Sequence, residues 1–379
     1  MIYLDNAATT LYKPNEVYLR SNEVFRFFSA NSGRSGHRAS LKAAEIVMQT
    51  RSVAADFLGI KNIENIVFTF GCTDALNIAI KGLFYPGDHI ITTAYEHNSV
   101  LRPLEYLKTT FDIGYSVLFP DENGTISAKQ IENEIQTNTK AVIVNYVSNV
   151  TGHVQDIKAI GKVCRKYGIL FIVDCAQAAG TQEINATDMN IDYICCAGHK
   201  GLYGPQGIGL LAINDGAPLP RPLRHGGTGS HSLELLQPKE MPDYLESGTL
   251  ATQNIAALEK GILFSAENRE KILAHEIFLA QLLRNGLADI KGVTVYSPSK
   301  VKSGVIAFNI GDTDSAFVAD ILDKKYSIAS RGGFHCAPMV HRYLGTEKQG
   351  AVRLSLSVFN TKKEILTAIN AVSEIAQKI

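Results

Sequence analysis

The sequence predicts an α/β protein, with a large domain built on a mostly parallel sheet and a smaller C-terminal α/β domain. Between residues 63 and 213, short β-branched runs alternate with amphipathic stretches, as strands and helices alternate in a parallel sheet. Runs such as AVIVNYV and ILFIVD are apolar on both faces, which is typical of strands that helices cover on both sides.

The elements of the large domain follow one another in this region. The predicted strands are ENIVFTF, DHIITT, KAVIVNYV, GILFIVD, DYICCA and GIGLLAI, and the predicted helices are 73–83, 98–109 and 157–167. Ligands of open parallel sheets bind beyond the carboxyl ends of the strands. The residues that directly follow each strand are therefore the candidates for a functional site.

The alternation of strands and helices stops after the last of these strands. Residues 221–248 are rich in Gly, Pro and Ser and predict a functional loop. The elements predicted after it are a long helix over 252–287, strands near 293–296, 304–309 and 351–356, and helices near 315–324 and 362–377. We therefore predict a segment, 1–20, that packs with the small domain, a large domain, 21–255, and the small domain, 256–379.

Composition excludes several classes of protein. The chain has 379 residues, 45% of them hydrophobic and 20% charged, which is enough to bury large cores without disulfide or metal staples. Lys and Arg together number 37, as do Asp and Glu, so the net charge is zero. Because proteins that bind phosphate backbones usually carry a basic excess, we expect no nucleic-acid partner.

The sequence also bears on location and on metals. No apolar run reaches the roughly 18 residues of a membrane span, and MIYLDNAATT lacks the basic head and apolar stretch of a signal peptide. We therefore expect a cytoplasmic protein without a membrane partner. The six cysteines form no CxxC pair, so we expect neither a disulfide framework nor a metal site.

Two of the strand-to-helix junctions carry residues suited to a phosphate and to a planar ring. Gly71, Cys72 and Thr73 come where a helix begins, and the free amides of a helix N-terminus suit a phosphate. A simple turn would need the same glycine. His97 has a ring that could stack on a planar ligand, or it could belong to a capping turn built on Asn98 or Ser99.

Two further strands end in polar residues. Asn149 follows KAVIVNYVS and could be a ligand or a turn asparagine. Asp174 ends the apolar strand GILFIVD, where a carboxylate is costly unless it is paired. A protonated ring nitrogen would explain this carboxylate, and so would a cap for the next helix.

A lysine lies in the glycine-rich segment AGHKGLYGPQGIG. Lys200 and its neighbour His199 lie between Gly198 and Gly204, and these glycines let the backbone approach a ligand closely. A lysine in such a loop can bond to a carbonyl carbon once desolvation and nearby cations lower its pKa. The alternative is a solvated surface charge.

These segments together resemble the fold-type I pyridoxal-phosphate enzymes, in the class V aminotransferase branch of cysteine desulfurases and selenocysteine lyases. The matching segments are YLDNAATT, NSGRSGHRAS, GCTDALN, EHNSV, VDCAQ, GHKGLYGPQG, RGGFHCAP and RLSLSVFNT. They run along nearly the whole chain. A nucleotide-binding interpretation fails because no GxGxxG motif opens a helix after a strand.

The resemblance implies a role for each candidate residue. Lys200 would hold the pyridoxal 5'-phosphate covalently, Asp174 would pair with its ring nitrogen, and His97 would stack on the ring and take part in catalysis. The remaining implied cofactor and substrate residues are Cys72, Thr73 and His199 at the phosphate, Thr249 reaching there from the second subunit of a homodimer, Gln177 and Asn149 at the ring hydroxyl or substrate, and Arg353 at the substrate carboxylate.

The sequence departs from this family at Ala197. The family usually has Ser or Thr there, and its hydroxyl donates to the phosphate. The missing hydrogen bond would be worth about 1.5 to 3 kcal/mol if nothing replaced it. We therefore expect weaker retention of the cofactor.

Cys336 decides which chemistry the resemblance implies. It lies in RGGFHCAP, between glycines and close to Arg331 and His335, both of which we also assign to substrate binding. An electropositive setting of this kind favours the thiolate. The segment resembles the RxGxHCA motif of the second group of desulfurases, which carry their cysteine on a short loop. We expect Cys164, Cys195 and Cys196 to be buried hydrophobic residues.

The implied reaction converts L-cysteine to L-alanine and leaves a persulfide on Cys336, which a sulfur-acceptor protein or small molecule would receive. L-Selenocysteine and cysteine sulfinate are alternative substrates, and cystine lysis, epimerisation and transamination are alternative reactions on this fold. A catalytically silent scaffold protein is the alternative from another class. Retention of Lys200, Asp174, Arg353 and Cys336 together favours the enzyme.

Overall fold

The computed structural model describes residues 1–33 and 35–379. Arg34, in the segment NSGRSGHRAS, lies outside the described residues. The strands are β1 (Ile2–Tyr3), β2 (Ile66–Thr69), β3 (His89–Thr93), β4 (Gly114–Leu118), β5 (Thr139–Asn145), β6 (Leu170–Asp174), β7 (Tyr193–Ala197), β8 (Gly209–Ile213), β9 (Val293–Val295), β10 (Val305–Ile310), β11 (Ile328–Ala329) and β12 (Val352–Ser355).

The helices are α1 (Asn15–Phe27), α2 (Arg38–Leu58), α3 (Cys72–Leu83), α4 (Asn98–Phe111), α5 (Ala128–Glu134), α6 (Ile157–Tyr167), α7 (Thr252–Ala288), α8 (Ser315–Tyr326), α9 (Pro338–Leu344) and α10 (Lys362–Ala376). All predicted strands and helices are present with ends shifted by a few residues. The sequence reasoning did not predict α1, α2, β4, α5 or α9, nor the two-residue strands β1 and β11.

The central sheet is mostly parallel, as predicted. Its strand order is β2-β8-β7-β6-β5-β3-β4, and only β8 runs antiparallel to its neighbours. β5, β6 and β7 are parallel and adjacent, with Asn145 opposite Asp174 and Asp174 opposite Cys195. The carboxyl ends of these three strands therefore meet at one edge of the sheet.

Both faces of this sheet are buried. Along β6, Phe171 and Val173 pack into one hydrophobic cluster and Ile172 packs into the other. Along β5, Val142 belongs to the first cluster and Ile143 to the second. Since successive strand residues point to opposite faces, continuous apolar runs are required here, as the sequence analysis inferred.

The long helix α7 joins two hydrophobic clusters. Ile255 and Leu258 near its start pack into a cluster of the central sheet, whereas Leu279 and Leu283 near its end pack with the strands β10 and β12. The predicted boundary between residues 255 and 256 falls inside this helix. The division into domains remains a prediction.

A second, smaller sheet follows α7. β10 pairs antiparallel with both β9 and β12, and β1 pairs in parallel with β11. The amide of Leu4 donates to the carbonyl of Ala329 at 2.9 Å. The N-terminal strand therefore lies against the C-terminal third of the chain.

The region between β8 and α7 contains no helix or strand among its described residues. A buried ion pair anchors its end: Arg51 Nη2 of α2 lies 2.9 Å from Glu246 Oε2. The other oxygen of Glu246 accepts from the amide of Phe68 at 2.6 Å.

In the part of the chain that the structure describes, no helix has both the length and the apolar character needed to cross a membrane.

Candidate active site

A cavity of about 490 Å³ lies at the edge where β5, β6 and β7 end. It brings together most of the residues that the sequence analysis selected. The predicted residues that line it are Cys72, Thr73, His97, Asn149, Asp174, Gln177, His199 and Lys200. The buried side chain of Ala197 also lines it and supplies no hydroxyl.

The N-terminus of α3 points its free amides toward this cavity. Gly71 is the N-cap residue and has no side chain to accept from the first turn. The amides of Cys72 and Thr73 therefore lack the usual capping partner. Together with the positive end of the helix dipole, they form a place suited to a phosphate.

His97 has a fixed orientation because it caps α4 with its own ring. Its Nδ1 accepts from the amide of Ser99 at 3.0 Å and lies 2.8 Å from the hydroxyl of Ser99. The alternative that Asn98 or Ser99 forms the cap is therefore wrong. Burial, aided by the nearby charges of Lys200 and Arg331, lowers the pKa of His97 to about 4. The ring is neutral at neutral pH.

Glu96 directly precedes His97 and is fully buried. The sequence analysis did not select it. Its Oε1 accepts from the hydroxyl of Thr93 at 2.7 Å and from the amide of Asn145 at 2.9 Å. Its Oε2 is buried and has no partner among residues 1–33 and 35–379. Burial raises the pKa of Glu96 to about 8 against the effect of these two hydrogen bonds, so the carboxyl is protonated at neutral pH.

Asp174 presents one carboxylate oxygen to the cavity. Its Oδ1 accepts from the amide of Ala176 at 2.9 Å and from the thiol of Cys72 at 3.3 Å. Among residues 1–33 and 35–379, Asp174 has no salt bridge and its Oδ2 has no hydrogen-bond donor. The described chain has no helix between β6 and β7, so the alternative that Asp174 caps the next helix is wrong. Its Oδ1 caps a turn instead, and Oδ2 is left for a ligand.

Lys200 lies in a tightly packed turn after β7. A side chain at Gly201 would come within 2.3 Å of the carbonyl oxygen of Ala179, so this turn requires glycine beside the lysine. The N-terminal segment also holds the turn, because Thr10 donates to the carbonyl of Lys200 at 3.0 Å. Burial lowers the pKa of Lys200, and the charges of Arg353 and Arg331 act in the same direction.

His199 and Gln177 reach back to the N-terminal segment. His199 Nδ1 lies 3.1 Å from the hydroxyl of Thr9, and burial lowers the pKa of His199 to about 4. Gln177 donates to the carbonyl of Ala7 at 2.9 Å. The segment YLDNAATT therefore holds two of the side chains that line the cavity.

Arg353 on β12 is almost fully buried, at 1% exposure. Its Nη2 lies 2.7 Å from Asp5 Oδ1, and its Nη1 donates to the carbonyl of Asn149 at 3.0 Å. Its Nε is buried without a partner. Asp5, which the sequence analysis did not select, thus fixes the guanidinium and balances its charge.

Cys336 is exposed on a short loop that is tied to the cavity wall. Its carbonyl accepts from the amide of Asn98 at 2.6 Å, next to the His97 cap. The carbonyl of His335 accepts from Asn149 Nδ2 at 2.8 Å. His335 and Cys336 have φ angles of 49° and 55°, which is a strained conformation for residues with side chains.

The imidazole and the arginine of this loop are also held in place. His335 Nε2 lies 2.9 Å from the carbonyl of Ala351, and burial lowers the pKa of His335 to about 2. The backbone of Arg331 pairs with that of Arg353 through hydrogen bonds of 3.2 and 2.8 Å. The loop therefore brings Arg331, His335 and Cys336 next to β12.

Of the predicted residues, Arg331, His335, Cys336 and Arg353 adjoin the cavity without lining it, and Thr249 lies apart. It is exposed, and its hydroxyl accepts from Asn31 Nδ2 at 3.2 Å. A single chain does not bring it into the cavity.

Cys164, Cys195 and Cys196 are buried, as expected. In the described part of the chain, no group of three or more His, Cys, Asp or Glu side chains is placed to hold a metal ion.

Comparison with known proteins identifies a family. The family model for aminotransferase class-V matches residues 2–367. A probable cysteine desulfurase of Pyrococcus abyssi is 32% identical over 389 residues, covering 100% of this chain and 95% of the relative. The apo structure of a cysteine desulfurase from Thermococcus onnurineus has a TM-score of 0.93 and 33% identity, covering 100% of this chain and 95% of that chain. A cysteine desulfurase structure from Escherichia coli has a TM-score of 0.88 and 25% identity, with 99% and 94% covered.

The raised pKa of Glu96 predicts how the free energy of unfolding changes with pH. Its pKa is about 8 in the folded protein against an ordinary 4.5, so the folded protein keeps a proton that the unfolded chain releases. The free energy of unfolding should therefore fall, relative to that of Glu96→Gln, as pH rises from about 4.5 to 8, by up to about 1.4 kcal/mol per pH unit. Above about 8 the difference should become constant.

Urea unfolding of both proteins across this range measures the difference. Glu122→Gln, at an exposed position, is the control and should differ from the wild type by the same amount at every pH. A difference for Glu96→Gln that does not change with pH would contradict the prediction.

Proposed function

The chain belongs to the aminotransferase class-V family, and on this premise we propose that it is a pyridoxal-phosphate-dependent cysteine desulfurase. A curated relative and a solved structure of cysteine desulfurases each match it over 95% of their length. The observation that carries the proposal is the exposed thiol of Cys336, on a loop tied by Asn98 and Asn149 to the wall of the lysine cavity. A transaminase has no need of such a thiol.

The residues around the cavity fit the cofactor. The uncapped start of α3 suits its phosphate, the free Oδ2 of Asp174 suits a protonated ring nitrogen, and the neutral ring of His97 suits stacking. Lys200 has a lowered pKa and lies within the same cavity. When bound, pyridoxal phosphate supplies an aldehyde for amines and an electron-withdrawing ring that stabilises negative charge at Cα.

Arg353 is the proposed partner of the substrate carboxylate. Asp5 and the carbonyl of Asn149 hold its two terminal nitrogens, while its buried Nε has no partner. Each terminal nitrogen carries a second N–H, so a carboxylate would meet a guanidinium whose plane is already fixed, which lowers the entropic cost of binding. Arg331 adds a second positive charge close by.

Lys200 is proposed to remove the proton from Cα of the substrate and later to return a proton to carbon. A buried amine with a lowered pKa can be neutral when it removes the Cα proton, and it can then return a proton. Arg353 and Arg331 favour the neutral amine, whereas Asp174 favours the charged one. Because its pKa is lowered to about 4, the ring of His97 is a weak base, and the proton transfers fall to the lysine.

Cys336 is the proposed sulfur acceptor. Its thiolate attacks the sulfur of the substrate, an S–S bond forms, and the bond between Cβ and sulfur breaks with its electron pair left on carbon. Protonation of that carbon gives alanine, and Cys336 carries a persulfide. The carbon gains the electrons that the sulfur loses, so no external reductant is required.

We further propose that the protein acts as a homodimer and hands its sulfur to an acceptor protein or small molecule. Thr249 is exposed on one chain and would complete a phosphate site across the dimer interface. Leu233, Leu235 and Leu236 are almost fully exposed in the loop before α7, and such apolar patches mark interaction surfaces.

All six cysteines are free, which supports a reducing compartment such as the cytoplasm.

The covalent role of Lys200 predicts a coloured protein. The wild type should show a visible absorption band with pyridoxal phosphate, and borohydride should fix the mass of the cofactor on Lys200. Lys200→Ala should lose both signals because no other amine occupies its place, while Lys42→Ala, at an exposed position, should keep them. A Lys200→Ala protein that still gains the mass adduct at the same yield would refute the assignment.

The role of Cys336 predicts a difference between two substrates. Cys336→Ser should abolish alanine release from cysteine but keep much of the release from selenocysteine, because selenium leaves more readily without a thiolate to attack it. Cys164→Ala, buried on α6, should keep both activities. Mass spectrometry of the Cys336 peptide after one turnover should find one extra sulfur. Wild-type desulfuration by Cys336→Ser would exclude the persulfide route.

The shared site predicts complementation. Lys200→Ala should be inactive, and Thr249→Ala should bind the cofactor less well because a phosphate donor is lost. In a mixed dimer, one site has both Lys200 from one subunit and Thr249 from the other. Mixing the two variants should therefore raise alanine release above the mean of the separate proteins. A fully active monomer in sedimentation experiments would contradict the shared site.

A further inference from the structure

Cys72 makes a contact that its place at the start of α3 did not predict. The thiol is 8% exposed and lines the cavity. Its Sγ lies 3.3 Å from Oδ1 of Asp174, a separation typical of a hydrogen bond from sulfur. The side chain is thus directed at the carboxylate, and only the backbone of Cys72 remains for a phosphate.

The direction of this hydrogen bond follows from the charges around it. A carboxylate can only accept, so the thiol must donate its proton. Burial raises the pKa of the Cys72 thiol well above its ordinary value, and the negative charge of Asp174 raises it further. The thiol of Cys72 therefore keeps its proton at neutral pH.

The two carboxylate oxygens of Asp174 have different roles. Oδ1 accepts from the amide of Ala176 and from the thiol of Cys72, which approach from different elements. Two donors on one oxygen fix the plane of the carboxylate. Within residues 1–33 and 35–379, Oδ2 has no donor, so it is the oxygen left for a ligand in the cavity.

We propose that Cys72 is a positioning residue, whose S–H holds Asp174 so that Oδ2 faces the ring nitrogen of the cofactor. This inference rests on the proposed function and adds a residue that acts through Asp174 without touching substrate. A thiol is a weaker donor than a hydroxyl, so it orients the carboxylate while leaving most of its negative charge for the ring nitrogen. Serine can replace the donor, and alanine cannot.

The chain supplies a matched control. Cys195 lies opposite Asp174 in the register of β6 and β7, is fully buried, and belongs to the same hydrophobic cluster as Cys72. It forms no hydrogen bond with Asp174. Cys195→Ala removes the same atom from the same cluster, so it measures the effect of lost packing alone.

The first test needs no bound cofactor. In the apoprotein, the infrared S–H stretching band that disappears in Cys72→Ala belongs to Cys72. A donated S–H absorbs at lower wavenumber than a free one, so in Asp174→Ala this band should move to higher wavenumber. The S–H band of Cys164, which packs in a different hydrophobic cluster from Cys72, should not move. A Cys72 band at the same position with and without the carboxylate would overturn the proposal.

The second test measures the dissociation constant of pyridoxal phosphate by titrating each apoprotein and following the visible band. Cys72→Ala should bind the cofactor roughly fivefold more weakly, as expected for the loss of one modest hydrogen bond. Cys72→Ser and Cys195→Ala should stay within about twofold of the wild type. Circular dichroism checks that every variant is folded.

Three results of this titration would overturn the proposal. Equal weakening in Cys72→Ala and Cys72→Ser, or equal weakening in Cys195→Ala, would assign the effect to packing. Unchanged binding in Cys72→Ala would show that Ala176 positions the carboxylate alone. If the wild type bound no cofactor, the proposed function would fail, and the infrared test would still decide whether Cys72 orients Asp174.

Discussion

The site depends on the parallel register of β5, β6 and β7. Because these strands end together, Asn145 lies opposite Asp174, and the turn that carries Lys200 follows the next strand. Parallel strands have their carboxyl ends at one edge, so polar residues can gather there while the rest of each strand stays apolar and buried. Asp174 is thus held at the end of a strand whose other residues pack on both faces of the sheet.

The segment YLDNAATT connects this edge to the C-terminal third of the chain. Its strand pairs with β11, Asp5 binds Arg353, and Thr10 binds the carbonyl of Lys200. The side chain proposed for the substrate carboxylate and the lysine proposed for the cofactor are therefore tied to the same few residues. Such a tie fixes the distance between the two functions, which productive geometry requires.

The charges of the site are set mainly by burial. Arg353 is buried and therefore needs the carboxylate of Asp5, whereas His97 and Glu96 are buried and neutral at neutral pH. Lys200 is shifted toward its neutral form. The cavity thus holds the carboxylate of Asp174 and the amine of Lys200, and the fixed positive charge of Arg353 adjoins it through the carbonyl of Asn149.

The sequence by itself determined the central sheet, because apolar runs and strand-to-helix junctions are local patterns, and it selected the residues after each strand for the same reason. Its motifs also indicated the family. It did not reveal Asp5, Glu96 or the contact of Cys72 with Asp174, since each depends on a partner distant in the chain or on burial. Nor could it decide that His97 itself caps α4. Only the tertiary structure fixes such pairings, because packing determines which polar groups lose water and which partner replaces it.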